Sequence, residues 1–247
     1  IYTIVYTLSL HDALPIYVAV PLEFAGLAAD GRAVLGGDIS LRLVQRPASP
    51  EERRYLENAG RLSEVVTMRA MARSTGGAGQ SLVELKAVDN AYPLAGALVS
   101  DPPLPAEEIF ALRNGVWGAA AEPGLLQRLK LAPGDRLRLG EAELEIRAAI
   151  TAEPDRADGN AGFALGPRLM TGLGALPATG LIQPGSQAVW QYRLVLPEGT
   201  NSRSWIAAVN QTFPEAGWRV RNVQDAAPGL KRFIDRTALF LTLVELT

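Results

Sequence analysis

The sequence predicts an α+β domain, and three observations carry that prediction. A strand–helix–strand pattern stands near the start, in DISLRLV, SPEE and RLSEVVTMRAMARS, and returns near the end, in WQYRLVLP, NSRSWIAAVNQTF and AGWRVRNV. Between the two copies the chain is dense in Pro and Gly turns such as SDPPLP, APGD, GLGAL and QPGS, which is how short strands with irregular connections read. A composition of 48% hydrophobic and 20% charged residues over 247 positions describes a folded chain long enough to bury a core. The two copies share no useful identity, so the repeat is architectural. The expected organisation is one α/β layer built from 37–90 and 189–226, with a β-rich lobe, 91–188, inserted into it.

The first residues stand apart. Thr7 to Ile16, TLSLHDALPI, resembles the in-frame translation of a short-read sequencing adaptor, and residues 1–16 are therefore left out of the fold. A signal peptide does not fit, because Asp12 interrupts the apolar stretch, no basic segment precedes it and no A-x-A site follows. From Tyr17 to Leu35 the small-residue sequence predicts a weakly amphipathic helix, with Pro21 as a break. Gly36 and Gly37 end it. Ile39, Leu41 and Leu43 then alternate with Ser40 and Arg42 as a half-buried strand. Ser49 caps a helix starting at Pro50, with Glu52 in the capping-box position, and the helix stops near Gly60. RLSEVVTMRAMARS and SLVELKAVD are the next two strands, with Val83, Leu85 and Ala87 on one face of the second and Glu84 and Lys86 on the other.

In the middle third, the segment PGLLQRLKLAPGDRLRLGEAELEIRAAI gives a short helix carrying Leu125, Leu126 and Leu129, a turn, and a hairpin across Gly140 and Glu141. A two-residue loop with Gly first suits a type II′ turn. That register sets Leu137 opposite Leu144 and places Arg136 and Arg138 against Glu145 and Glu143. After the lobe, Tyr192, Leu194 and Leu196 point inward, and Trp205, Val209 and Phe213 step along one helix stripe. Trp205 and Trp218 read as core rather than as ligand platforms.

No group of residues assembles a catalytic or metal site. The one histidine, His11, lies in the excluded segment, and the absence of cysteine removes thiol chemistry, disulfides and cysteine zinc sites, as suits a bacterial exported domain. TGGAGQ lacks the lysine and following helix of a phosphate loop and reads as a hairpin loop. Asp155, Asp158 and Asn160 lack calcium-loop spacing and read as a solvated loop. Glu143 and Glu145 share a strand face, but arginines across the hairpin neutralise them, and Ser186 has no base and no G-x-S-x-G elbow. A formal net charge of −2 offers no basic stripe for nucleic acid. No cofactor is implied.

The tail, APGLKRFIDRTALFLTLVELT, runs from a basic amphipathic segment into an apolar run from Thr237 to Val244. It reads either as the opening of a membrane helix, which needs about 20 apolar residues, or as a buried C-terminal helix. Its wording resembles the start of the second membrane helix of FtsX/MacB-like ABC transporter permeases of the YbbP type. GRAVLGGDISLRLVQRPASPEE, VELKAVDNAYPL, GVWG, LAPGDRLRLG and GLIQPGS also recur in the order expected of that family. Glu245 departs from the small residue expected in TLVxLT. The resemblance implies a MacB-like periplasmic core, with 37–90 and 189–226 as a porter-like layer and 91–188 as a sabre-like lobe. It makes 17–36 the end of a first membrane helix and 227–247 a juxtamembrane segment and the start of a second. It further implies a non-catalytic permease subunit of the bacterial inner membrane, mostly periplasmic here. Its expected partners are a separate ATPase, a second permease copy, and hydrophobic or lipid-linked cargo. A periplasmic binding module without transport is the other reading.

Overall fold

The computed structural model describes residues 31–77, 79–156 and 166–223. The predictions for residues 1–30 and for the tail from residue 224 lie outside these. The described chain is of mixed α and β structure around one eleven-stranded sheet. A helical stretch at 31–35, here α1, ends at Gly36, whose φ of +80° suits a residue without Cβ. Strand β1 (Ile39–Val44) follows, then α2 (Pro50–Ala59). The predicted capping box at Ser49 and Glu52 is formed in both directions. β2 (Arg61–Ser74) and β3 (Gln80–Val88) make the expected antiparallel hairpin.

The middle third supplies β4 (Val99–Asp101), α3 (Ala106–Phe110), β5 (Leu112–Arg113), β6 (Val116–Ala121), α4 (Pro123–Leu129), β7 (Arg136–Leu139), β8 (Ala142–Ala152), β9 (Arg168–Gly172) and α5 (Leu176–Thr179). The chain closes with β10 (Val189–Val195), α6 (Ser202–Thr212) and β11 (Arg219–Asn222). The sheet order is β11-β1-β10-β2-β3-β9-β6-β8-β4, with β5 beside β6 and β7 beside β2 and β8. Ile39 pairs with Leu194 and Leu194 with Leu62, so β10 lies between β1 and β2. Strands from 37–90 and 189–222 are contiguous, and the sheet continues into the middle third through the parallel β3–β9 pair.

Alternation fixes two packed faces. Leu41, Val66, Leu85, Tyr192 and Leu194 point to one face with Leu56 of α2, Leu125, Leu126 and Leu129 of α4 and, at the edge, Trp205 and Ile206 of α6. Trp205 and Trp218 are half-buried against this core, and the ring of Phe213 bridges Tyr55 and Trp218 edge-on. The other face holds a second cluster of Val65, Val88, Tyr92, Ile109, Phe110, Ala148 and Met170. Both faces are therefore covered in the middle of the sheet, which one-sided alternation did not anticipate.

The β7–β8 hairpin has the predicted register, Leu137 opposite Leu144, and Gly140 takes φ +59°. One ion pair differs from the prediction. Arg138 pairs with Glu143, but Glu145 pairs with Arg147, two positions along its own strand, at 3.1 Å. Arg147 is fixed there because its guanidinium also donates to the carbonyls of Glu108, Ile109 and Ala111.

Candidate functional site

The second face of the sheet carries an unexpected group of buried charges. β3 projects Lys86 into it, β10 projects Arg193, and β9 projects Arg168. Glu153 and Asp155, just beyond β8, come down onto them. Lys86 Nζ donates to Glu153 Oε1 at 2.5 Å, to Asp155 Oδ1 at 2.6 Å and to the Tyr92 hydroxyl at 3.0 Å. Tyr92 in turn donates to Asp155 Oδ1 at 2.7 Å, while its ring lies 4.5 Å from the Lys86 nitrogen. Arg193 closes on the other oxygen of Asp155. Arg168 joins Glu153 at 3.0 Å and Glu84 at 3.2 Å.

Two predictions are corrected here. Lys86, placed on the polar face of its strand, is 2% exposed, and Asp155, placed in a solvated loop, is equally buried. The cause is one and the same, since the segment 153–155 folds over the face on which Lys86 stands. Asp158 and Asn160 lie outside the described residues. Of the other candidates, Glu143 and Glu145 sit on the hairpin with their arginines, and Ser186 accepts from the backbone amide of Gln183 in a turn. The structure does not bring any of these to the cluster.

Three cations, Lys86, Arg168 and Arg193, face three carboxylates, Glu84, Glu153 and Asp155, so the group is balanced without a bound ion. Burial alone would raise the Asp155 carboxyl, but Arg193 and Lys86 outweigh it and hold it at about 2. Burial, with Asp155 and Glu153 alongside, pushes the Tyr92 phenol above the ordinary tyrosine range. Burial also pulls the Lys86 ammonium below the ordinary lysine value, against the attraction of Asp155. Among the described residues no set of three or more His, Cys, Asp or Glu is placed to hold a metal ion.

The position of the cluster matters more than its chemistry. Gly36, where α1 ends, lies directly on Arg193: a Cβ there would stand 2.5 Å from Arg193 Cδ and 2.8 Å from its Nε. Gly96 is packed between Pro154 and Ala33, at 2.5 Å and 3.4 Å by the same measure. At this end of the sheet the chain's two arms also meet, since a Cβ on Gly31 would be 2.5 Å from Val223 Cγ1. A separate cleft of about 510 Å³ is lined by Val88, Asp89, Phe110, Leu112, Trp117 and Leu173 among others, and by none of the cluster's charged residues. Sequence patterning could not locate the cluster, and the one available signal was Lys86 and Arg193 standing inside strongly apolar strands.

No family model matches the chain. The chain is 29% identical over 223 residues, 90% of its length, to the ABC transporter permease YbbP of Escherichia coli (strain K12), itself uncharacterized. It spans 26% of that protein's length. Among solved structures it is similar to the periplasmic region of MacB from Actinobacillus actinomycetemcomitans, at 9% identity and TM-score 0.46, covering 83% of this chain and 95% of that one. It is also similar to a domain of a permease protein from Porphyromonas gingivalis, at 12% identity and TM-score 0.47, covering 75% of this chain and 89% of that one. A third likeness is to the extracellular domain of the ABC-type transporter YknZ from Gram-positive bacteria, at 11% identity and TM-score 0.47, covering 74% of this chain and all of that one. The resemblance read from the sequence phrases thus holds over nine-tenths of the chain, and the permeases it resembles are those of the YbbP type.

Proposed function

We propose that the chain is the periplasmic part of a non-catalytic permease subunit in the bacterial inner membrane. There it couples a separate ABC ATPase to the movement of hydrophobic or lipid-linked cargo. The supporting observation is the similarity to a permease along almost the whole chain, joined to the side-by-side arms at Gly31 and Val223. Two arms leaving one end of a sheet together suit a domain held by a pair of membrane helices. Among the described residues no helix is long and apolar enough to cross a membrane. Within this reading, 37–90 and 189–226 form the porter-like layer and 91–188 the inserted lobe.

The arm after β11 reads without a Gly/Ser linker, as a stiff connection for ATP-driven movement. The test uses the complete protein with its ATPase in proteoliposomes. Lengthening the chain by a Gly/Ser insert at Ala227–Gly229 should abolish transfer of a pyrene-labelled phospholipid while ATPase association survives. Transfer at the unmodified rate would overturn coupling through this arm. Recovery of the complete protein wholly in the soluble periplasmic fraction would overturn the permease reading in favour of a binding module.

A further inference from the structure

We propose that Arg193 and Asp155 form a latch between α1 and the 153–155 segment, set by the seating of Gly36 on the Arg193 guanidinium. All three residues of this short segment are held. Asp155 is held by Lys86 and Arg193, Glu153 by Lys86 and Arg168, and Pro154 lies against Gly96. Arg193 is the shared member. One side of its side chain supports the end of α1, and its far end holds a carboxylate that follows β8. Its Nε is buried with no hydrogen-bond acceptor among the described residues, and its Nη2 donates to Gln191 Oε1 at 3.2 Å on the same strand, so Asp155 is the one carboxylate it holds.

Such a contact switches rather than stretches. A buried ion pair is stable while both partners are in place and strongly destabilising once one is displaced, because the charge left behind has no water. A shift of α1 that drives Gly36 toward β10 displaces the guanidinium and leaves Asp155 on Lys86 and Tyr92 alone. The 153–155 segment then loses the hold on one of its two oxygens. By the reciprocity of linked equilibria, loss of Asp155 loosens the end of α1. The latch is a property of this chain alone, and its failure would leave the transport reading standing.

Hydrogen exchange on the full chain in detergent tests it. Gly36→Ala introduces both strain, at φ +80°, and the clash with Arg193. Gly77→Ala introduces the same strain, at φ +79°, with nothing within 4 Å. Peptides covering 150–156 should exchange about tenfold faster in G36A than in G77A, with 61–74 unchanged. In an Arg193→Ala background G36A should add no further acceleration. Equal exchange in G36A and G77A, or additive effects of G36A and R193A, would overturn the latch. If G36A does not fold, Asp155→Asn provides the reverse reading: it should speed exchange at 31–36, and unchanged exchange there would overturn the proposal.

Discussion

Replacing Lys86 with methionine removes one cation from a group whose charges balance only as a whole. Glu153 and Asp155 would be left to Arg168 and Arg193, and a broken buried pair costs about 3–5 kcal/mol. Urea denaturation of K86M should show that loss, whereas Arg113→Met, which opens the exposed pair with Glu108, should change stability by under about 1 kcal/mol. Acid acts on the same group. The Asp155 carboxyl lies at about 2 in the folded chain against 3.8 ordinarily, so its contribution is complete above roughly pH 4 and is lost as pH falls toward 2. That contribution is about 2 kcal/mol, and the acid limb of a stability–pH curve should flatten in D155N. Val83, Leu85 and Ala87 were legible because alternation reports a covered face. Lys86 was not, because the residue that covers it, Glu153, is 67 positions away.

Single elements carry their own tests. Ser49 accepts from the Glu52 amide while the Glu52 carboxylate accepts from the Ser49 amide, and Ser49→Ala should lower the melting transition by about 1 kcal/mol of stability. A heavier loss is expected at Gly118 in β6. A Cβ there would meet the Ile109 carbonyl at 1.8 Å and Arg147 Nη1 at 2.5 Å, so Gly118→Ala should cost several kcal/mol, on the order of the larger core lesions, by denaturant titration. The cap of α2 and the register of β7–β8 were readable because both are set by neighbours in sequence. The partner of Glu145 was not, since Arg147 owes its position to carbonyls at 108–111 that no local pattern displays.

At the scale of the whole chain, the α+β class was legible from the returning strand–helix–strand pattern, and the two copies do share a sheet through the β1–β10 pair. The continuation of that sheet through β3–β9 was hidden, because parallel pairing of Glu84 with Arg168 leaves no hairpin signature between them. Residues 1–16 lie outside the described residues and read as an adaptor sequence, and we expect their deletion to leave the melting temperature within error. A fall of several degrees would show them to be native structure. The seat of β10 between β1 and β2 also governs the order in which the molecule can be made. β1 has β10 on one side and β11 on the other, so both its neighbours are synthesised last. A chain delivered amino end first therefore holds Ile39, Leu41 and Leu43 ready for pairing long before Val189 arrives. A product truncated at residue 188 should accordingly sediment as aggregate where the full-length chain stays dispersed.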